Sequence, residues 1–172
     1  MPVTVDSSVL IGMVRIGRLE LLRKLYGHVV IPGAAHHEVV IEGRRLRKAG
    51  VREIEKAMQS GWIRVSTLTT SQSDRAEVYR AGGELGQGET EAIVLARSRK
   101  MPLILDDAYA RKLADTAGLE FTGTAAVLLE AHLRGLLSKK EFLESLSELG
   151  KVMWLSPEVL ATLMRLAEET GE

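Results

Sequence analysis

Four acidic side chains stand where an α/β chain gathers its ligand-facing groups. Asp6 and Asp107 close short apolar runs, and Glu38 and Glu89 open helical patterns. Singly, each has an ordinary reading, since aspartate is a leading helix N-cap and negative charge suits a helix start. Facing one edge of one sheet, they repel each other unless a cation neutralises them. The chain has no cysteine and only four histidines, so the donors are oxygens, which suit Mg²⁺ or Mn²⁺ better than zinc. Such an ion takes a few carboxylates, keeps several waters and favours phosphate, which it orients while generating hydroxide. Phosphodiester hydrolysis is the chemistry this set implies.

The elements that must position these groups follow from the patterning. Residues 2–5 are a β-prone run ending in Asp6-Ser7-Ser8, after which apolar residues at helical spacing continue from Val9 through Leu19, Leu22 and Leu25. Gly27 stops that helix, residues 28–31 predict a second strand, and Pro32 opens a helix that turns Ala35, Val39 and Val40 inward. A helix over 51–58 and a strand over 62–65 come next. Residues 66–74 are rich in Ser, Thr, Gln and Asp and read as loop, with a short helix after them and a glycine-rich approach (Gly82, Gly83, Gly86, Gly88) to Glu89. Then come a helix over 91–99, a strand over 102–105 with Asp106-Asp107 at its carboxyl end, a helix over 108–117 and a strand over 119–122. Thr124 is expected to cap a helix over 125–133, Ser138 and Glu141 form a capping box, and Ser156-Pro157 lead a last amphipathic helix. Short strands alternating with helices predict a three-layer α/β sandwich with a short, mostly parallel central sheet. Residues 1–135 would form the domain, and 136–172 a C-terminal helical extension packed on it.

At 172 residues the chain is of single-domain size. Lys plus Arg and Asp plus Glu number 23 each, so bulk charge does not favour coating a polyanion, and any nucleic-acid contact must be focused. Arg44, Arg45, Arg47, Lys48 and Arg52 are the one dense positive cluster. It reads equally well as a strand-steering patch and as a solvated helix face. The lack of cysteine removes disulfides and thiol nucleophiles and fits a cytoplasmic home. No apolar run approaches a membrane span, and the start of the chain lacks a basic leader.

Rival motifs fail on particular residues. Gly83 to Thr90 has P-loop spacing, but Glu89 stands where the phosphate-binding lysine belongs. Asp6-Ser7-Ser8 follows the first strand where a dinucleotide fold needs glycines. Ser7 and Ser8 have no evident histidine partner and no nucleophile elbow. His36 and His37 are consecutive, point about 100° apart on a helix, and do not readily share a metal. His132 stands alone.

Asp6-Ser7-Ser8-Val9-Leu10-Ile11, Glu38, Leu85-Gly86-Gln87-Gly88-Glu89-Thr90-Glu91-Ala92-Ile93, Leu105-Asp106-Asp107 and Gly123-Thr124 together resemble the PIN-domain family of metal-dependent ribonucleases. The likeness is to a prokaryotic branch related to VapC-type toxins and covers roughly residues 3–133. The resemblance places the family's acidic quartet on Asp6, Glu38, Glu89 and Asp107. Glu89 stands 18 residues before the last aspartate, the family's usual offset. Glu91 is the rival third acid, since residues two apart on a helix point about 200° apart, and Asp106 is a further outer ligand. Leu105 replaces the usual threonine of the strand-end motif, and glutamate replaces the usual aspartate as third acid. The resemblance implies an Mg²⁺- or Mn²⁺-dependent endoribonuclease acting on RNA; Ser7 and Ser8, with Arg44, Arg45, Arg47 and Lys48 of the basic cluster, are the candidate substrate-side residues. It also implies a homodimer and, as in toxin relatives, a small antitoxin partner. The altered third acid keeps an alternative open: a catalytically weak PIN-like module for RNA or protein binding.

Overall fold

Three β-branched runs build one half of the sheet: β1 (Val3–Val5), β2 (Val29–Pro32) and β3 (Ile63–Ser66). Two shorter strands, β4 (Leu103–Ile104) and β5 (Phe121–Thr122), build the other half. The computed structural model describes residues 1–169. The order is β3-β2-β1-β4-β5 and every pairing is parallel, as crossover helices require. Val3 pairs with Val29, and Thr4 and Val5 pair with Leu103 and Ile104. The chain winds outward from β1 through β2 to β3, then returns to lay β4 on the opposite side of β1. The β1/β4 boundary is therefore the topological switch point, where an open α/β sheet leaves a crevice at its carboxyl edge.

Two helices, α1 (Ser7–Arg15) and α2 (Glu20–Tyr26), replace the single one expected through Leu25. The break falls at Gly17, whose φ of +67° ends α1 in a left-handed turn that other residues adopt at a cost. After β2, α3 (Gly33–His36) passes into a π-helical segment (His37–Glu42) and then α4 (Gly43–Arg45), so the Pro32 helix is one run with an over-wide middle. Next comes α5 (Val51–Gln59). The polar stretch read as loop is mostly helix α6 (Thr70–Arg80), started by a capping box in which Gln72 N–H donates to Thr69 Oγ1 (3.3 Å) and Thr69 N–H to Gln72 Oε1 (2.9 Å). Helix α7 (Gln87–Arg99) begins four residues before the expected start. Then come α8 (Ala108–Thr116), α9 (Thr124–Leu133), α10 (Lys139–Val152), with the predicted Ser138–Glu141 box in place, and α11 (Pro157–Glu169).

Period-two alternation in the strands splits the core across the sheet. Val3, Val5, Val29, Ile31 and Ile104 face one layer, where α1, α2 and α9 add Leu10, Leu22 and Leu128. Phe142, Leu146, Leu149, Leu163 and Ala167 of α10 and α11 belong to the same buried cluster. The expected extension runs on to residue 172, and 170–172 lie outside the described residues. Leu103 and Leu105 face the opposite layer against Ala92, Ile93 and Ala96 of α7 and Ala110 and Ala114 of α8. Small residues on those two helices let them lie close to the short strand β4. Among the described residues no helix is long and apolar enough to cross a membrane.

Candidate active site

The two aspartates of the sequence argument flank the switch point. Asp6 follows β1 directly and is 1% exposed. Asp106 and Asp107 follow β4, the neighbouring strand. The capping reading of both aspartates holds: Asp6 Oδ1 accepts the N–H of Val9 (3.1 Å) and Asp107 Oδ1 that of Ala110 (2.8 Å). Ser8 Oγ lies 2.9 and 3.0 Å from the two carboxylate oxygens of Asp6 and donates to them.

Glu38 comes from the π-helical segment, where its carboxylate accepts the hydroxyl of buried Ser7 at 2.6 Å. The start of α7 packs against that pair: a Cβ built on Gly88 would lie 3.8 Å from Ser7 Oγ and 3.9 Å from Glu38 Oε2. One residue on, Glu89 turns back so that its carboxylate accepts the Gly86 N–H at 2.6 Å. Glu91 leaves the helix in another direction. Its Oε2 accepts the N–H of Ala34 at 3.0 Å and its Oε1 accepts from Gln87 Nε2 at 2.8 Å. Glu91 thereby ties α7 to the first turn of the helical run that carries Glu38.

Asp106 is held elsewhere, accepting both the backbone N–H (2.9 Å) and the hydroxyl (2.6 Å) of Thr124. Thr124 was the expected cap of α9. Instead Gly123 is the N-cap residue, and Asp106, 18 residues before Thr124, supplies the acceptor. Gly123 is required by close approach, because a Cβ there would meet Arg111 Nη2 at 2.2 Å and Asp106 Oδ1 at 3.0 Å.

The electrostatics follow from this crowding. Burial pushes the Asp6 carboxyl up to about 7, against the pull of the Val9 N–H and the Ser8 hydroxyl, and the charges of Asp106 and Glu89 add to the rise. Glu89 is also raised, by burial first and then by Asp107 and Glu38, while the Gly86 N–H pulls it down. None of the ion pairs among the described residues involves Asp6, Glu38, Glu89, Asp106 or Asp107. The hydrogen bonds these carboxylates accept come from neutral donors, and the Arg111 guanidinium stands beside Asp106 at Gly123 without forming an ion pair with it. Among the described residues no three His, Cys, Asp or Glu side chains converge closely enough to hold a metal ion as they stand. In type the donor set suits a hard cation.

A cavity of about 870 Å³ is lined among others by Ser7, Ser8, Glu38, Glu89 and Glu91, while Asp6, Asp106 and Asp107 do not line it. His37, read from sequence as an ordinary polar residue, lines it too, as do Ser73 and Glu84, which no motif singled out. The basic cluster lies apart. Arg44, Arg47, Lys48 and Arg52 line a separate cavity of about 740 Å³ that shares no lining residue with the acidic one. Within it, Arg44 pairs with Glu55, and Arg45 nearby pairs with Glu42 at 2.5 Å.

Comparison with known proteins bears on the family and the fold. The family model described as PIN domain matches residues 2–169. No curated protein matches the chain. Among solved structures, VapBC2 from Rickettsia felis, bound to a DNA fragment from their promoter, has a chain similar to this one with a TM-score of 0.52 at 11% identity. The match covers 72% of this chain and 98% of that one. A PilT N-terminus domain protein from the hyperthermophilic archaeon Sulfolobus solfataricus P2 is similar over 76% of this chain and 93% of its own, at 17% identity and a TM-score of 0.46.

Proposed function

Because this chain belongs to the PIN-domain family, we propose that it is a divalent-metal-dependent endoribonuclease that hydrolyses RNA phosphodiester bonds in the cytoplasm. We infer further that it is the toxin of a toxin–antitoxin pair, with a small antitoxin as partner and a homodimer as its working form. The observation that carries the reading is Asp6, almost wholly buried at the switch point with Asp106 and Glu89 beside it and no lysine or arginine ion-paired to any of them. A fold keeps uncompensated carboxylates together at a cost in stability, which a bound cation relieves.

Asp6, Glu38, Glu89 and Asp107 would hold Mg²⁺ or Mn²⁺, with Asp106 and Glu91 as outer groups. Such an ion supplies Lewis-acid polarisation of the phosphate and a more acidic attacking water. The chain's own residues prepare that site. The Ser7 hydroxyl fixes the Glu38 carboxylate and the Ser8 hydroxyl fixes that of Asp6. Asp106 locks the start of α9 beside β4, and Glu91 locks the start of the helical run that bears Glu38. Arg44, Arg45, Arg47 and Lys48 would engage RNA phosphates outside the acidic cavity, and such contacts weaken steeply with salt.

A second reading has one observation in its favour. Asp6, Glu38, Glu89 and Asp107 are each hydrogen-bonded to donors of the chain itself, and among the described residues no three acids converge. A catalytically weak module that binds RNA or a protein fits that arrangement. Cleavage of single-stranded RNA, measured with Mn²⁺ or Mg²⁺ and again with chelator, separates the two. Chelator-sensitive cleavage supports the nuclease, and binding without cleavage at any divalent concentration supports the module.

A further inference from the structure

Aromatic residues are scarce in this chain, with only two Phe, two Trp and three Tyr. Trp62 and Phe142 are buried in the core, and Tyr26 is tied to Glu130 by a 2.7 Å hydrogen bond. The other two tyrosines face one small cavity. Tyr79 of α6 and Tyr109 of α8 line a space of about 240 Å³ together with Leu85, Leu113 and Lys112. Its walls are more apolar than those of the acidic cavity. The Tyr79 ring is held from behind, its phenol oxygen accepting from Arg97 Nη1 at 3.1 Å. Tyr109 is 54% exposed although it lies only two residues beyond Asp107.

The cavity is separated from the acidic one by a single loop, residues 81–86 between α6 and α7. Glu84 of that loop lines both spaces. A strand whose phosphate enters the acidic cavity therefore has a neighbouring nucleotide within reach of the tyrosines. A volume of this size admits a single planar base. Aromatic faces stack on any unpaired base, Lys112 at the rim suits the adjoining phosphate, and the Glu84 carboxylate suits a base N–H.

We propose that the cavity between α6 and α8 is a nucleobase subsite for single-stranded RNA, with Tyr109 as its stacking platform. It rests on the endoribonuclease reading for its ligand, and it adds that one base beside the cleaved phosphate must be unpaired and flipped toward α8. The subsite selects single strands and loops over duplexes, because a paired base cannot turn its face to Tyr109.

The test uses the full chain with Mg²⁺ and a phosphorothioate-linked single-stranded oligoribonucleotide carrying one 2-aminopurine, whose fluorescence is quenched on stacking. The wild type and Tyr109→Phe quench it for the placement that seats the probe in the cavity. Tyr109→Ala does not, and it binds the strand roughly 5- to 150-fold more weakly, the range that loss of one base–aromatic stack spans. An abasic nucleotide at that position weakens wild-type binding by a similar factor and leaves Tyr109→Ala no worse. Equal quenching and affinity in Tyr109→Ala overturns the subsite. So does a change in the particle's mass with quenching intact, since a second copy of the chain then covers this face. Cleavage of ordinary RNA is read separately. Cleavage with no role for Tyr109 removes the subsite alone, whereas Tyr109-dependent quenching without cleavage removes the nuclease reading alone.

Discussion

Replacing Asp6 by Asn tests the electrostatics of the switch point without touching the fold's packing. The amide keeps an oxygen to accept the Val9 N–H and the Ser8 hydroxyl, so the cap on α1 survives. What disappears is a carboxyl pushed from 3.8 to about 7, mainly by burial. Between those two values the folded protein holds a proton that the unfolded chain has released. Asp6 therefore contributes most to stability below pH about 4, and that contribution is lost as pH rises through about 7. At about 1.36 kcal/mol per pH unit the whole window is worth on the order of 4 kcal/mol, of which about 2–3 kcal/mol falls between pH about 5 and about 8. Urea unfolding with chelator present should therefore show the wild type losing about 2–3 kcal/mol more than Asp6→Asn across that interval. On the proposed function, saturating Mn²⁺ should compete with the proton and flatten the wild-type curve. A difference below about 0.5 kcal/mol, or one of opposite sign, would show that water or a neighbouring donor already solvates Asp6 and that the burial argument is wrong.

Other outcomes follow from single contacts. The hydroxyl of Thr4 is buried in β1 with no hydrogen-bond partner, so Thr4→Val should stabilise the protein by about 1 kcal/mol in urea unfolding, and destabilisation would point to a bound water. Gly123→Ala forces a methyl against Arg111 and Asp106; it should cost about 1–3 kcal/mol, and an unchanged midpoint would mean that the arginine swings away freely. Glu91→Gln keeps an acceptor for the Ala34 N–H while Glu91→Ala does not. RNA cleavage should survive the first and fall in the second, and equal loss in both would make Glu91 a cation ligand instead.

Legibility from sequence was uneven for physical reasons. The strands and the switch-point aspartates were readable because short apolar runs end in Asp6 and in Asp106-Asp107, and right-handed crossovers then fix which edge those ends share. The polar stretch at 66–74 misled because α6 buries only Ala76, so no apolar stripe announces it. Its Thr69–Gln72 box was the available signal. Helix α7 starts at Gln87 because the Glu89 carboxylate caps the turn behind it, and the glycines before it masked that start. The Asp106–Thr124 link is invisible to local reading, since its two ends are 18 residues apart and meet only once β4 and β5 pair. The π-helical segment beneath Glu38 left no mark in the spacing. The aromatic cavity escaped because Tyr79 and Tyr109 lie on different helices.

The central claim is that the carboxylates at the β1/β4 switch point act as one reacting centre, and a double-mutant comparison of RNA cleavage tests it most directly. With Mn²⁺ present, Asp6→Asn and Asp107→Asn should each lower the cleavage rate by several powers of ten, and the two together should be scarcely worse than either alone, as groups acting as a unit behave. Cleavage by Asp6→Asn at the wild-type rate, or losses that simply multiply in the double variant, would contradict the account.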